Sequence, residues 1–239
     1  SNTVISSGGA QVINDGGSAV SAAVSSGGFQ IISSGGKASN TVISSGGVVS
    51  VTSGGSATNI NQSSGAAIVV DTGAGLVSGS RYDGVIFGIS SGSASNVLLD
   101  NGGQLSVLSG HSAISTMVSS GGKVIVSGTT TSTVINSAGR EEVYSGGTAS
   151  NTVISSGGSQ VINDGGSAVS AAVSSGGVQI ISSGGKASNT VISSGGSQVI
   201  NDGGSAVSAA VSSGGFQIVS SGGKASNTVI SSGGAQVIN

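Results

Sequence analysis

The sequence predicts an all-β fold, a right-handed parallel β-helix (solenoid) of 19-residue coils. Three observations predict it. Glycine pairs begin at Gly8, Gly16, Gly27, Gly35, Gly46 and Gly54 and again at Gly157, Gly165, Gly176 and Gly184, so the spacing alternates between 8 and 11 residues. The segments between the pairs are four or five residues long and rich in Val and Ile, which suits short strands and is too short for helices. The opening 38 residues, two such units, return almost unchanged from Ser150 and again from Ser188. A period of this size means that each repeat is one turn, burying its apolar side only by stacking on its neighbours.

Each element follows from this period. A Gly pair permits the positive φ of a tight corner. Cutting the chain at Ser1, Val20, Ser39, Thr58, Val77, Ser95, Ile114, Thr131, Ser150, Val169, Ser188, Val207 and Ser226 gives about 13 coils in a single domain, 1–239, with irregular coils near 58–94 and 114–149. The thirteenth position is β-branched in every coil, from Ile13, Ile32 and Val51 through Ile89 and Val107 to Ile238. The fifth is Ile5, Val24, Ile43, then Gln62 and Arg81, then Leu99, Val118 and Val or Ile onward. Both columns are expected inside, and strand alternation takes the third and eleventh positions in with them. The third is small (Thr3, Ala22, Thr41). The eleventh is Gln near both ends (Gln11, Gln30, Gln160, Gln179, Gln198, Gln217), which predicts an amide ladder along the axis, with Glu141 as its charged exception. A β-propeller, the rival architecture, needs blades of about 40 residues or more with aromatic signatures; aromatics are 2% of this chain.

Composition removes several classes of function. Only 6% of the 239 residues are charged, and the net charge is −2, against roughly a quarter charged in ordinary domains. A hydrophobic share of 36% with so little charge argues against disorder, and the absence of Pro argues against collagen. Six basic residues cannot neutralise a phosphate backbone, so nucleic acid is not an expected partner. No apolar run reaches the roughly 20 residues of a membrane span, so this fragment is not expected to insert into a membrane. Ser1 falls inside a repeat, and the chain reads as an excised piece.

Catalysis has no constellation to rest on, and an enzyme is not expected. His111 stands alone at a corner, and Asp15, Asp164 and Asp202 recur only in every second coil, about 9.6 Å apart, too far for a carboxylate pair. No catalytic residue, metal ligand or cofactor is assigned. The outward fourth and twelfth positions are often apolar: Val4, Val42, Leu98, Met117, Val153, Val191 and Val229 in one column, Val12, Ile31, Val69, Val161 and Ile180 in the other. Such stripes mark association surfaces, and Val153, Val191 and Val229 are the candidate lateral contacts. The repeat breaks at 58–94. There Arg81, Tyr82 and Asp83 form a charged–aromatic–charged run, and Arg81 enters an apolar column. An unpaired Arg in so narrow a core is costly, which predicts a local outward loop and a second candidate binding site.

The unit T-x-[VI]-x-x-G-G-x-Q-x-[VI]-x-x-G-G-x-A, at Thr3–Ala19 and Thr152–Ala168, resembles the passenger repeats of self-associating autotransporter adhesins of the antigen 43, diffuse-adherence adhesin and TibA type; the segment 95–113 is similar to such a passenger as well. The resemblance implies a passenger-domain fragment on the bacterial cell surface or secreted, mediating cell aggregation or host-cell adhesion. It also implies partners, namely further copies of the chain or a host-cell surface receptor, and Ser and Thr as glycosylation acceptors. Two alternatives stay open: a released passenger acting as ligand of a host receptor, such as an angiogenic factor, and an ice-binding-type hydroxyl array.

Overall fold

The computed structural model describes residues 2–239, and every regular element among them is a strand. The fold is a β-solenoid of about twelve turns with parallel strands about 19 residues apart. The chain divides into two compact units, up to Met117 and from Val118.

In the first unit a regular turn has three short strands, as in Val4–Ile5, Ala10–Ile13 and Ser18–Val20. Each pairs in parallel with its counterpart one coil on: Val4 with Ala23, Ala10 with Phe29, Ser18 with Lys37. Two corners are the Gly pairs, whose members have different duties. Gly35 has φ +76°, a conformation that L side chains rarely adopt. Gly36 has ordinary φ, but a Cβ there would stand 2.2 Å from the Ile13 carbonyl oxygen of the preceding coil. The third corner contains no glycine. It turns on one Asn or Ser at φ near +55°, as at Asn40 (54°) and Ser21 (59°), a conformation that Asn tolerates better than most residues.

The inside columns are where alternation puts them. Ile32, Ile43, Val51 and Val24 are fully buried, and so is Val49 in the eleventh position. In the second unit Ile135, Ile154, Ile162, Ile181, Ile192 and Ile200 are likewise closed off from solvent, while Ala168, Ala187 and Ala206 fill the narrow corner beside them.

The amide ladder forms. In the second unit Gln160, Gln179, Gln198, Gln217 and Gln236 stand in register on consecutive strands. All donors point one way: Nε2 of Gln179 to Oε1 of Gln160 at 2.8 Å, then Gln198 to Gln179, Gln217 to Gln198 and Gln236 to Gln217 at 2.7 Å each. Glu141 ends the series. Its carboxylate accepts from Gln160 Nε2 (2.8 Å), Thr130 Oγ1 (2.8 Å) and Thr152 Oγ1 (3.0 Å). The residue in register on its other side is Val124, which can accept nothing. An acceptor-only side chain is therefore the fitting terminus for a directional chain of donors. In the first unit Gln30 donates to Gln11, and Thr41 caps the free oxygen of Gln30.

The coil beginning at Val77 departs from the expectation. Val77–Arg81 pairs in parallel with Ser56–Gln62, but Ile86–Ser90 runs back antiparallel to it and Ser93–Ser95 antiparallel again. Two reversals restore the original direction, so a hairpin replaces a turn. The count falls accordingly from about thirteen coils to about twelve. The four-residue array bypasses the hairpin: Ala67–Asp71 pairs directly with Gln104–Val107, setting Val70 opposite Leu105. This register differs by two residues from the repeat alignment, and a shift of two leaves every side chain on its original face.

Candidate functional site

The run Arg81, Tyr82 and Asp83 lies at the tip of that hairpin. Tyr82 and Asp83 project outward, and Tyr82 is 58% exposed. Arg81 does not join them, which corrects the expectation of an outward Arg. Its side chain is 4% exposed, because alternation along Val77–Arg81 turns residues 77, 79 and 81 inward. Its burial is compensated by Asp83, two residues on, which takes both Nε (3.1 Å) and the second terminal nitrogen in a bidentate pair. The remaining donors reach the Asn96 carbonyl oxygen (3.2 Å) and the Met117 sulfur (2.9 Å). Arg81 thus pins the hairpin to the coil behind it. Desolvation pushes the Asp83 carboxyl up, but hydrogen bonds from Arg81 and the Val85 N–H outweigh it and hold the group below the usual carboxylate range.

The second candidate surface is the fourth-position column of the second unit. Val153, Val191 and Val229 are exposed to 41%, 49% and 61%. Strand register sets Ala172 between the first two and Ala210 between the last two. The column is therefore a row of apolar knobs separated by shallow Ala positions. The same column does not stay outward everywhere: Leu98 is buried, in the coil that follows the hairpin. The twelfth-position stripe is largely screened by its own neighbours. Ile31, Val69, Ile180 and Val199 are half-buried, and Val161 is buried.

The second irregular stretch, near 114–149, holds Arg140, Glu142 and Tyr144 in a cluster whose link to Lys123 the sequence does not reveal. Glu142 receives Lys123 Nζ at 2.7 Å, Arg140 Nε at 2.6 Å and the Tyr144 hydroxyl at 2.7 Å. Lys123 stands 17 residues before Arg140 and pairs with it in register; only the shortened coil hides that spacing. Desolvation would raise the Glu142 carboxyl, yet the three donors hold it below its usual range. The same contact, with burial second, raises the Tyr144 hydroxyl. These groups satisfy one another and are built to hold adjacent coils together. His111 is bonded through Nδ1 to Thr72 Oγ1 at 2.9 Å, a corner contact. Among the described residues no three His, Cys, Asp or Glu are grouped to hold a metal ion, and no helix is long and apolar enough to cross a membrane.

What the described residues present is exposed surface, at the valine column and at the hairpin tip. The profile of the family described as "adhesin of bacterial autotransporter system, probable stalk" matches residues 1–47, 78–139, 143–196 and 183–234. Among solved structures the chain is similar to the TibA55-350 fragment, crystallised after hyper-glycosylation catalysed by TibC. The identity is 37% and the TM-score 0.61, over 100% of this chain and 88% of that one. None of the curated proteins matches. With the family profile matched across both units and over most of its length, the chain belongs to the adhesins of the bacterial autotransporter system.

Proposed function

We propose that the chain is a non-enzymatic passenger segment that mediates cell aggregation or host-cell adhesion through its solenoid surface. The observation that carries this reading is the exposed valine column. In a fold whose inner columns are almost completely closed, Val153, Val191 and Val229 leave large apolar side chains in water at regular intervals. A repeated knob offers many weak contacts in parallel, and their sum is avidity. The family, one of cell-surface or secreted adhesins, supports the location and the role. The exposed serines of the corners, such as Ser6 and Ser7, are the glycosylation acceptors we expect, by analogy with the hyper-glycosylated TibA fragment.

A second reading has an observation of its own. A receptor that binds one place on a repeating surface needs an address that does not repeat, and the hairpin tip with Tyr82 and Asp83 is such a place. Arg81 enters this reading as the residue that holds the tip. Sedimentation velocity across a concentration series separates the two. Reversible association that weakens in the Val153→Thr, Val191→Thr, Val229→Thr variant is expected; a monomer at every concentration would return the function to the hairpin.

A further inference from the structure

The hairpin also closes one side of a trough on the outer face of the first unit, with a cavity of about 350 Å³. Asn59 and Asn61 form one wall, Ile86 the other, and Ser78 and Ser80 the floor. Register fixes the cross-section: Asn61 stands opposite Ser80, and Ser80 opposite Ile86. Inward-facing Gly79 lets the floor strand lie directly on the core, since a Cβ there would come 2.8 Å from the Phe87 ring.

The lining selects a ligand chemistry. No ionisable side chain borders the trough, and the nearby Arg81 and Asp83 are spent on each other. A charged ligand would therefore lose hydration without gaining a partner. A wholly apolar ligand would strip water from amides and hydroxyls and leave them unpaired. An extended peptide would seek a free strand edge, but the floor strand is paired on both sides. What remains is a neutral molecule that carries hydroxyls around an apolar face. We propose that this trough binds a neutral saccharide, with its hydroxyls on Asn59, Asn61, Ser78 and Ser80 and one ring face on Ile86. The cavity is at the small end of ligand sites, roughly 300–1,000 Å³, which suits one or two sugar rings. Tyr82, exposed at the neighbouring turn, extends the apolar side. The site is distinct from Val153, Val191 and Val229, which all lie beyond residue 118.

The test is saturation-transfer NMR on the intact chain with lactose, maltose and, as anionic counterpart, digalacturonate. Transfer to a neutral disaccharide and none to digalacturonate is expected. Asn61→Ala and Ile86→Ala should each weaken binding about fivefold, the loss of one hydrogen bond or a comparable apolar contact. Ser80→Gln, which fills the floor, should abolish it, with circular dichroism unchanged in all three because these side chains face outward. Absence of transfer to either neutral sugar, equal transfer to digalacturonate, or undiminished binding by the variants would overturn the proposal. A partner surface and a glycosylated second copy could both supply the sugar. Disaccharide that releases the chain from a glycan-coated surface assigns the first source, and disaccharide that dissolves association of glycosylated chains assigns the second. Release in neither assay counts against the site.

Discussion

Arg81 in the first unit and Glu141 in the second each break an apolar or amide column, and their surroundings accept them by opposite means. Arg81 is closed off, while its partner Asp83 keeps about a third of its side chain in water, 4% against 35%. That asymmetry ranks two substitutions. Asp83→Ala strands a buried guanidinium and should be the more destabilising of the two. Arg81→Ala leaves a carboxylate that water can reach and should cost less. Urea denaturation of the two variants gives the order directly, and an inverted order would mean that the guanidinium is satisfied without Asp83. Glu141 has three donors and no cation. Glu141→Gln adds a donor that faces Val124, while Glu141→Leu leaves the hydroxyl donors of Thr130 and Thr152 and one N–H of the Gln160 amide unpaired, the other still reaching Thr152 Oγ1. At about 1–3 kcal/mol for each buried unsatisfied group, the Leu variant should be clearly the less stable. Equal midpoints for the two would imply that the ladder is rebuilt around either residue.

Corners and strands show how far the repeat could be read and where it stopped. The inside columns were legible because Val, Ile and Ala recur at fixed positions and alternation has only two faces. The corner at Asn40 was not, because Gly is the usual sign of positive φ and this corner uses Asn or Ser. The hairpin hid for a subtler reason. Phe87 and Ile89 fall in the eleventh and thirteenth columns of the repeat and are buried as those columns require, yet they belong to a strand running the other way. Reversing a strand preserves the period of two, so the pattern of faces cannot reveal it. Of the candidate sites, the exposed valines and the Tyr82 tip were readable, and the pairing that takes Arg81 inward was not. The corners make their own prediction. Gly36→Ala should destabilise severely, since its Cβ collides with the backbone of the coil before. Gly8→Asn should be mild, because nothing lies within 4 Å of the site and Asn accepts positive φ. Thermal unfolding of both variants checks the pair. The strand-spanning cluster at Glu142 adds a pH dependence. Its folded carboxyl titrates below its ordinary value of 4.5, so its contribution is complete above that pH and is lost as pH falls through the lower folded value. The Tyr144 hydroxyl is raised above 10.0, so its contribution is complete below pH 10 and fades only as pH climbs through the raised value. A Glu142→Gln chain should therefore lose less stability between pH 6 and 3 than the parent does; parallel acid limbs would remove Glu142 from the account.

At the scale of the molecule, near-identical repeats are the means by which the proposed weak contacts would add up. In the proposed association each exposed valine of the fourth column would bury modest apolar area against a second copy, at roughly 25 cal/mol per Å². No single contact holds two chains together. Because Val153, Val191 and Val229 recur at one position of a parallel ladder, a partner in register meets all three at once, and the free energies add. Intervening Ala172 and Ala210 leave gaps into which a second row of valines can settle, which favours one register over slipped ones. Additivity can be measured. If Val191→Thr alone weakens association by about threefold to fivefold, three independent contacts should weaken it by about 27-fold to 125-fold in the triple variant. Thr keeps the β-branched shape, so the strands should persist and the monomer should unfold as the parent does. Sedimentation equilibrium on the parent, single and triple variants gives the three constants. A triple loss no larger than the single one would place association elsewhere, because knobs that act in parallel must each contribute.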